Sequence, residues 1–129
     1  MSRWYLDTSA ALKLLVDEQE SDALGHAIDD GRPDLVSSWL LETELRRAGR
    51  RAPALAQELV TDLLTNVSLF RVPPSLFREA GLLPGTHLRS LDALHLATAV
   101  RSGADCVVTY DTRMTDAARE LGLVVVAPA

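Results

Sequence analysis

The chain has 129 residues, 47% hydrophobic and 24% charged, with a formal net charge of −5. That size and balance fit one globular domain, 1–129, built on a single core. A lone cysteine, Cys106, excludes an internal disulfide and a cysteine-based zinc site. No apolar run approaches the roughly 20 residues a membrane span needs.

The opening, MSRWYLDTSA, lacks the apolar stretch of a signal peptide because Asp7 interrupts it, so a cytoplasmic location is expected. Arg3–Leu6 reads as a short strand ended by Asp7. Thr8 or Ser9 is positioned to cap the following helix, ALKLLVDE. A second helix is expected over about Glu20–Asp30, stopped by Gly31. Asp34–Ser38 is a second strand, and a third helix runs from about Trp39 to Arg51. Pro53 is expected to start a fourth helix reaching about Asn66. Val67–Val72 reads as a third strand. Pro73 and Pro74 lead into a short helix and the turn LPGTH. A mostly apolar helix follows from near Ser90 to Gly103. The apolar strand Cys106–Tyr110, a helix over RMTDAARELG and a last strand Leu123–Ala127 complete the chain. Strands alternating with helices predict an α/β fold, three layers deep, with a parallel central sheet of four to five strands.

Four carboxylates stand at telling places in this pattern. In open α/β sheets ligands bind beyond the carboxyl ends of the strands. Asp7 directly follows the first strand and Asp111 the fourth, so both enter one crevice if those strands are neighbours. On the third helix, at about 100° per residue, Glu44 lies roughly 55° from the centre of the stripe Leu40, Leu41, Leu45, Ala48 and Ala52. Glu42 lies roughly 105° away and is left to water, although an intrahelical pair of Glu44 with Arg47 is the plainer alternative. Asp92 is an acid in the apolar stretch LRSLDALHLATAV, where an ionised carboxylate is costly without a partner. A helix-start acid is its other explanation. Three Asp and one Glu offer only hard oxygen ligands, which suit Mg²⁺ or Mn²⁺ rather than zinc. Without a cation they would repel and raise one another's pKa. Asp116 is either a fifth ligand or a surface acid. Thr8, Ser9 and Thr109 carry hydroxyls suited to orienting the carboxylates, and Ser37 reads as a strand-end residue.

The blocks YLDTSAALKLL, ETELRRA, LRSLDALHLATA and VVTYDTRMTDAARELGL, in this order over nearly the whole chain, resemble the PIN domain. More narrowly they resemble the VapC-type toxins of type II toxin–antitoxin pairs. The resemblance implies a metal-dependent endoribonuclease with Asp7, Glu44, Asp92 and Asp111 as its acidic cluster, and products carrying a 5′-phosphate and a 3′-hydroxyl. Asp116 stays open beside Asp111 as a metal ligand. The resemblance also implies a homodimer and a small cognate antitoxin whose C-terminal arm enters the acidic pocket, with larger toxin–antitoxin assemblies in prospect. Apolar side chains for that partner, or equally for the core, are Leu12, Leu15 and Val16, or Trp39 and Leu40. The RNA would be a transfer or ribosomal RNA loop. Arg46, Arg47, Arg50 and Arg51 are candidates for guiding its backbone, against the plainer role of a cationic helix end.

Rival readings fail on particular residues. A response-regulator receiver needs a lysine near the last strands, and the only one is Lys13. A haloacid-dehalogenase-type phosphatase needs an acid at position 9, which is Ser9. A cyclising ribonuclease needs paired histidines. His26, His87 and His95 are scattered, and His95, one turn past Asp92, is assigned to packing or to a bond with Asp92. The rival of another class is a non-catalytic binding module with a degenerate acidic site.

Overall fold

The computed structural model describes residues 2–129. Five parallel strands form one sheet: β1 (Arg3–Leu6), β2 (Asp34–Ser38), β3 (Ser68–Phe70), β4 (Cys106–Val108) and β5 (Val125–Val126), in the order β3-β2-β1-β4-β5. Seven helices fill the crossovers: α1 (Thr8–Leu15), α2 (Ser21–Gly31), α3 (Leu40–Arg51), α4 (Gln57–Thr65), α5 (Pro74–Gly81), α6 (Ser90–Arg101) and α7 (Thr112–Glu120). Among the described residues no helix is long and apolar enough to cross a membrane.

Side chains alternate along each strand, so the sheet feeds two cores. Tyr5, Val36 and Val107 pack under α6 and α7 with Leu96, Ala99, Met114 and Ala118. Leu6, Cys106 and Val108 pack on the opposite face with Ala10 and Leu24 of α1 and α2. A third cluster joins α1, α3 and α4 through Ala11, Leu41, Leu45, Val60 and Leu64. A fourth joins α5 to α6. Burial on both faces explains why the strands read as continuous apolar runs.

β1 is the centre of the sheet. From it the chain moves outward to β2 and β3 on one side, then returns to β4 and β5 on the other. The carboxyl ends of β1 and β4 therefore flank the point where the winding reverses, where such sheets form a crevice. The register pairs Leu6 with Val108 and brings the segments after both strands together.

Several boundaries differ from expectation. Neither Thr8 nor Ser9 caps α1; Asp7 does so itself, its side chain accepting from the Ala10 N–H. That helix stops at Leu15, because Val16 turns extended. In α2 Gly31 is the last helical residue, and Arg32 takes the left-handed conformation (φ 44°). Pro53 does not open α4. Ala52 is extended, as a residue before proline prefers, and a turn anchored by buried Leu55 intervenes before Gln57. The strands β3, β4 and β5 are shorter than predicted.

Candidate active site

Asp7 is the most firmly built of the four acids. It is 3% exposed, and its oxygens are held from three directions. Oδ1 accepts from the Ser9 hydroxyl at 2.7 Å and the Ala10 N–H at 2.9 Å, while Oδ2 accepts from the Thr109 hydroxyl. Both hydroxyls also accept: Ser9 Oγ from the Tyr110 N–H at 2.9 Å, Thr109 Oγ1 from the Asp111 N–H at 3.1 Å. Two side chains thus stitch the end of β1 to the end of β4. Burial raises the Asp7 pKa, and the bonds from Thr109, Ser9 and Ala10 oppose that rise.

Asp111 is the N-cap of α7, its Oδ1 accepting from the Met114 N–H at 3.0 Å. It is exposed at the mouth of the crevice. Asp92 lies half-buried in the first turn of α6, whose N-cap is Arg89 rather than Ser90. It takes part in none of the bonds that secure Asp7, Glu44 and Asp111. Burial is the main cause of its raised pKa. Asp111 adds to the rise, as do Asp7 and Glu44, while His95 opposes it. All four acids therefore share one electrostatic field, with Asp92 inside it.

Helix α3 separates its two acids. Glu42 turns outward and pairs with Arg46 at 2.7 Å. Glu44 reaches across to α6, its Oε1 2.5 Å from His95 Nε2. The alternative pairing of Glu44 with Arg47 is not what forms. His95 itself was expected to pack or to bond Asp92. It is buried, and its partners are Glu44 and the Tyr5 phenol, 2.7 Å from Nδ1. Tyr5 drew no notice in the sequence. Its signal was a phenol two residues before Asp7 on a central strand, where a buried hydroxyl requires a partner.

The remaining candidates divide. Asp116 is exposed on α7 and lines a separate cleft of about 420 Å³ with Gly85, His87, Arg113 and Glu120. The Thr8 hydroxyl is buried with no bonding partner among the described residues, so Ser9 and Thr109 are the hydroxyls that hold Asp7. Ser37 donates to the Leu6 carbonyl at 2.7 Å and belongs to the sheet. Arg46 is committed to structure: its guanidinium bonds Glu42, the Gln57 carbonyl and side chain, and the Thr61 hydroxyl, joining α3 to α4. Arg47, Arg50 and Arg51 are exposed. Leu12 and Leu15 pack on the α1–α3–α4 core, and Leu40 on the α5–α6 core. Val16 and Trp39 are 38% and 50% exposed.

The donor set matches a hard divalent cation in kind. It is all oxygen, and the charges of Asp111, Asp7 and Glu44 all act on Asp92. It is not a closed cage: among the described residues no three His, Cys, Asp or Glu side chains already stand close enough to hold one ion.

Comparison with known proteins agrees with this frame. The family model of the PIN domain matches residues 4–120. The chain is 44% identical over 131 residues to Ribonuclease VapC46 of Mycobacterium tuberculosis, covering 100% of both chains. It is 42% identical to Ribonuclease VapC35 of the same organism, covering 96% of each. Among solved structures, Mycobacterium tuberculosis VapC20, described as a sarcin–ricin-loop-cleaving toxin, superposes with a TM-score of 0.74 at 19% identity, over 97% of this chain and 99% of that one. VapBC2 from Rickettsia felis, bound to a DNA fragment of its promoter, gives 0.74 at 13% identity, over 98% and 99%. The two structural likenesses speak for the fold alone. Family match and full-length identity together place the chain in the PIN-domain family, among its VapC members.

Proposed function

We propose that this chain is a divalent-metal-dependent endoribonuclease, the toxin of a cytoplasmic toxin–antitoxin pair. The observation that carries the proposal is the gathering of carboxylates at the sheet end: the Thr109 hydroxyl joins Asp7 to the Asp111 backbone, and Glu44 reaches His95, one turn past Asp92. Acids drawn together in this way repel, and the arrangement makes sense if a cation relieves it. Asp7, Glu44, Asp92 and Asp111 would hold Mg²⁺ or Mn²⁺, with Asp116 left to its own cleft. A bound ion of this kind lowers the pKa of water and stabilises charge on a phosphodiester under in-line attack.

The protein's own part is placement. Ser9 and Thr109 hold the Asp7 carboxylate in one orientation, and the backbone of α7 holds Asp111. Both His95 nitrogens are engaged inside the protein, and His26 and His87 are exposed on separate elements. No pair of histidines is therefore arranged to exchange protons with an RNA 2′-hydroxyl. Arg47, Arg50 and Arg51, exposed on α3 beyond Glu44, would meet RNA phosphates.

The names of the VapC relatives support RNA as substrate, and the Rickettsia complex supports an antitoxin as partner. Half-exposed Trp39, the N-cap of α3, is an apolar anchor for that partner. A second reading, a non-catalytic module with a degenerate site, draws on the absence of a closed metal cage among the described residues. Cleavage of total RNA in EDTA, then with Mg²⁺ or Mn²⁺ restored, separates the readings. Cleavage that stops and returns with metal supports the enzyme. Cleavage unaffected by EDTA overturns the metal role, and no cleavage under any condition favours the module.

A further inference from the structure

We propose that Tyr5 and His95 form a buried relay that positions the Glu44 carboxylate in the acidic site. This role rests on the metal-site reading above. Tyr5 is 0% exposed and His95 1%. Their rings meet edge-on, with centroids 5.8 Å apart at 74°, and the phenol oxygen lies 2.7 Å from Nδ1. The other ring nitrogen lies 2.5 Å from Glu44 Oε1.

Donor bookkeeping orders the chain. An ionised carboxylate only accepts, so Nε2 carries the proton shared with Glu44. Nδ1 is then the nitrogen bonded to the phenol. The bonds run in series, from Tyr5 through His95 to Glu44. The phenol fixes the ring, and the ring fixes the carboxylate. Oε1 is occupied, which leaves Oε2 as the oxygen available to the site.

Placement argues for more than packing. An apolar pair would fill the same core without the cost of burying polar atoms. Tyr5 lies two residues before Asp7, on the same side of β1. His95 lies three residues after Asp92, on the same side of α6. The relay therefore ties together the three elements that carry Asp7, Asp92 and Glu44, and it holds their spacing with directional bonds. In metal sites, partners of this kind that hold a ligand in place are commonly worth ten- to a hundredfold in affinity.

The test is calorimetric titration of Mn²⁺ into the wild type, Tyr5→Phe and Glu44→Gln. Tyr5→Phe keeps the ring and removes only the hydroxyl. It is expected to bind Mn²⁺ about tenfold more weakly. Its kcat should fall in step, with the KM for RNA within about twofold and the unfolding midpoint near that of wild type. His95→Gln, which keeps an N–H donor for Glu44, should retain more affinity than His95→Leu. Wild-type Mn²⁺ affinity in Tyr5→Phe overturns the relay. If Glu44→Gln weakens binding while Tyr5→Phe does not, the relay alone falls. If Glu44→Gln also binds as wild type, the metal-site reading falls with it.

Discussion

The end of the sheet and the end of α3 are both charged, and they are built in opposite ways. At the sheet end three acids have assigned partners: Ser9, Ala10 and Thr109 for Asp7, Met114 for Asp111, His95 for Glu44. Asp92 alone lacks one, and its pKa is raised, chiefly by burial. At the end of α3 the pattern reverses. Arg46 alone is bound into the fold, and Arg47, Arg50 and Arg51 are exposed. A fixed constellation with one unsatisfied charge suits chemistry at a point. An exposed cationic edge suits a diffuse polyanion. The two regions should therefore answer mutation differently, the first steeply and the second in proportion to charge and salt.

The largest expected effect is at Asp92. Asp92→Asn should lower cleavage by about a hundred- to a thousandfold, the scale of losing one preorganised electrostatic group. The same residue gives a pH dependence with a definite sign. Its folded pKa is raised, so between the ordinary carboxylate value and the raised one the folded state holds more protons than the unfolded state. Stability of the metal-free protein then falls as pH rises through that window, while metal affinity rises, since only the ionised form is a ligand. Asp7, also raised, acts in the same direction.

An intermediate effect is expected at the arginine edge. Replacing Arg47, Arg50 and Arg51 with Ala should weaken RNA binding and flatten its logarithmic salt dependence by about 0.7 for each phosphate no longer neutralised. The rate at saturating RNA should stay within about twofold. Arg46→Ala should instead cost about 1–2 kcal/mol of stability, through the removal of its bonds to α4. If Arg46→Ala flattened the salt dependence as much as the other three, the division between the regions would fail.

The smallest effect is the most diagnostic of strain. In metal-free protein at neutral pH, Asp92→Asn should raise the Tm by about one or two degrees, the half-exposed position screening the gain. A lower Tm would show that Asp92 serves chiefly as a favourable helix-start charge.

How much of this was readable from residues depends on the range of the interaction. The strand-helix alternation and the parallel sheet follow from local periodicity, and Asp7 and Asp111 follow from their places just after strands. Glu44 over Glu42 follows from helix angles, since a difference of roughly 50° decides which acid faces the protein. The relay was hidden because Tyr5, Glu44 and His95 lie far apart in the chain, and each alone looks like packing or surface. The division among the arginines was hidden for a similar reason. Four arginines close together on one helix look alike until Gln57 and Thr61 of α4 select Arg46. The false start of α4 at Pro53 shows local preference yielding to a buried turn residue, Leu55.

The central claim is that the carboxylates at the sheet end carry out RNA cleavage. Its most direct measurement is a map of cleavage sites across total RNA for wild type and Asp7→Asn, with Mg²⁺ or Mn²⁺ present. Asn is itself a good N-cap, so α1 should keep its start and the fold should persist. The expected result is a set of discrete wild-type sites that vanish in Asp7→Asn. The same sites, cut equally well by Asp7→Asn, would contradict the claim.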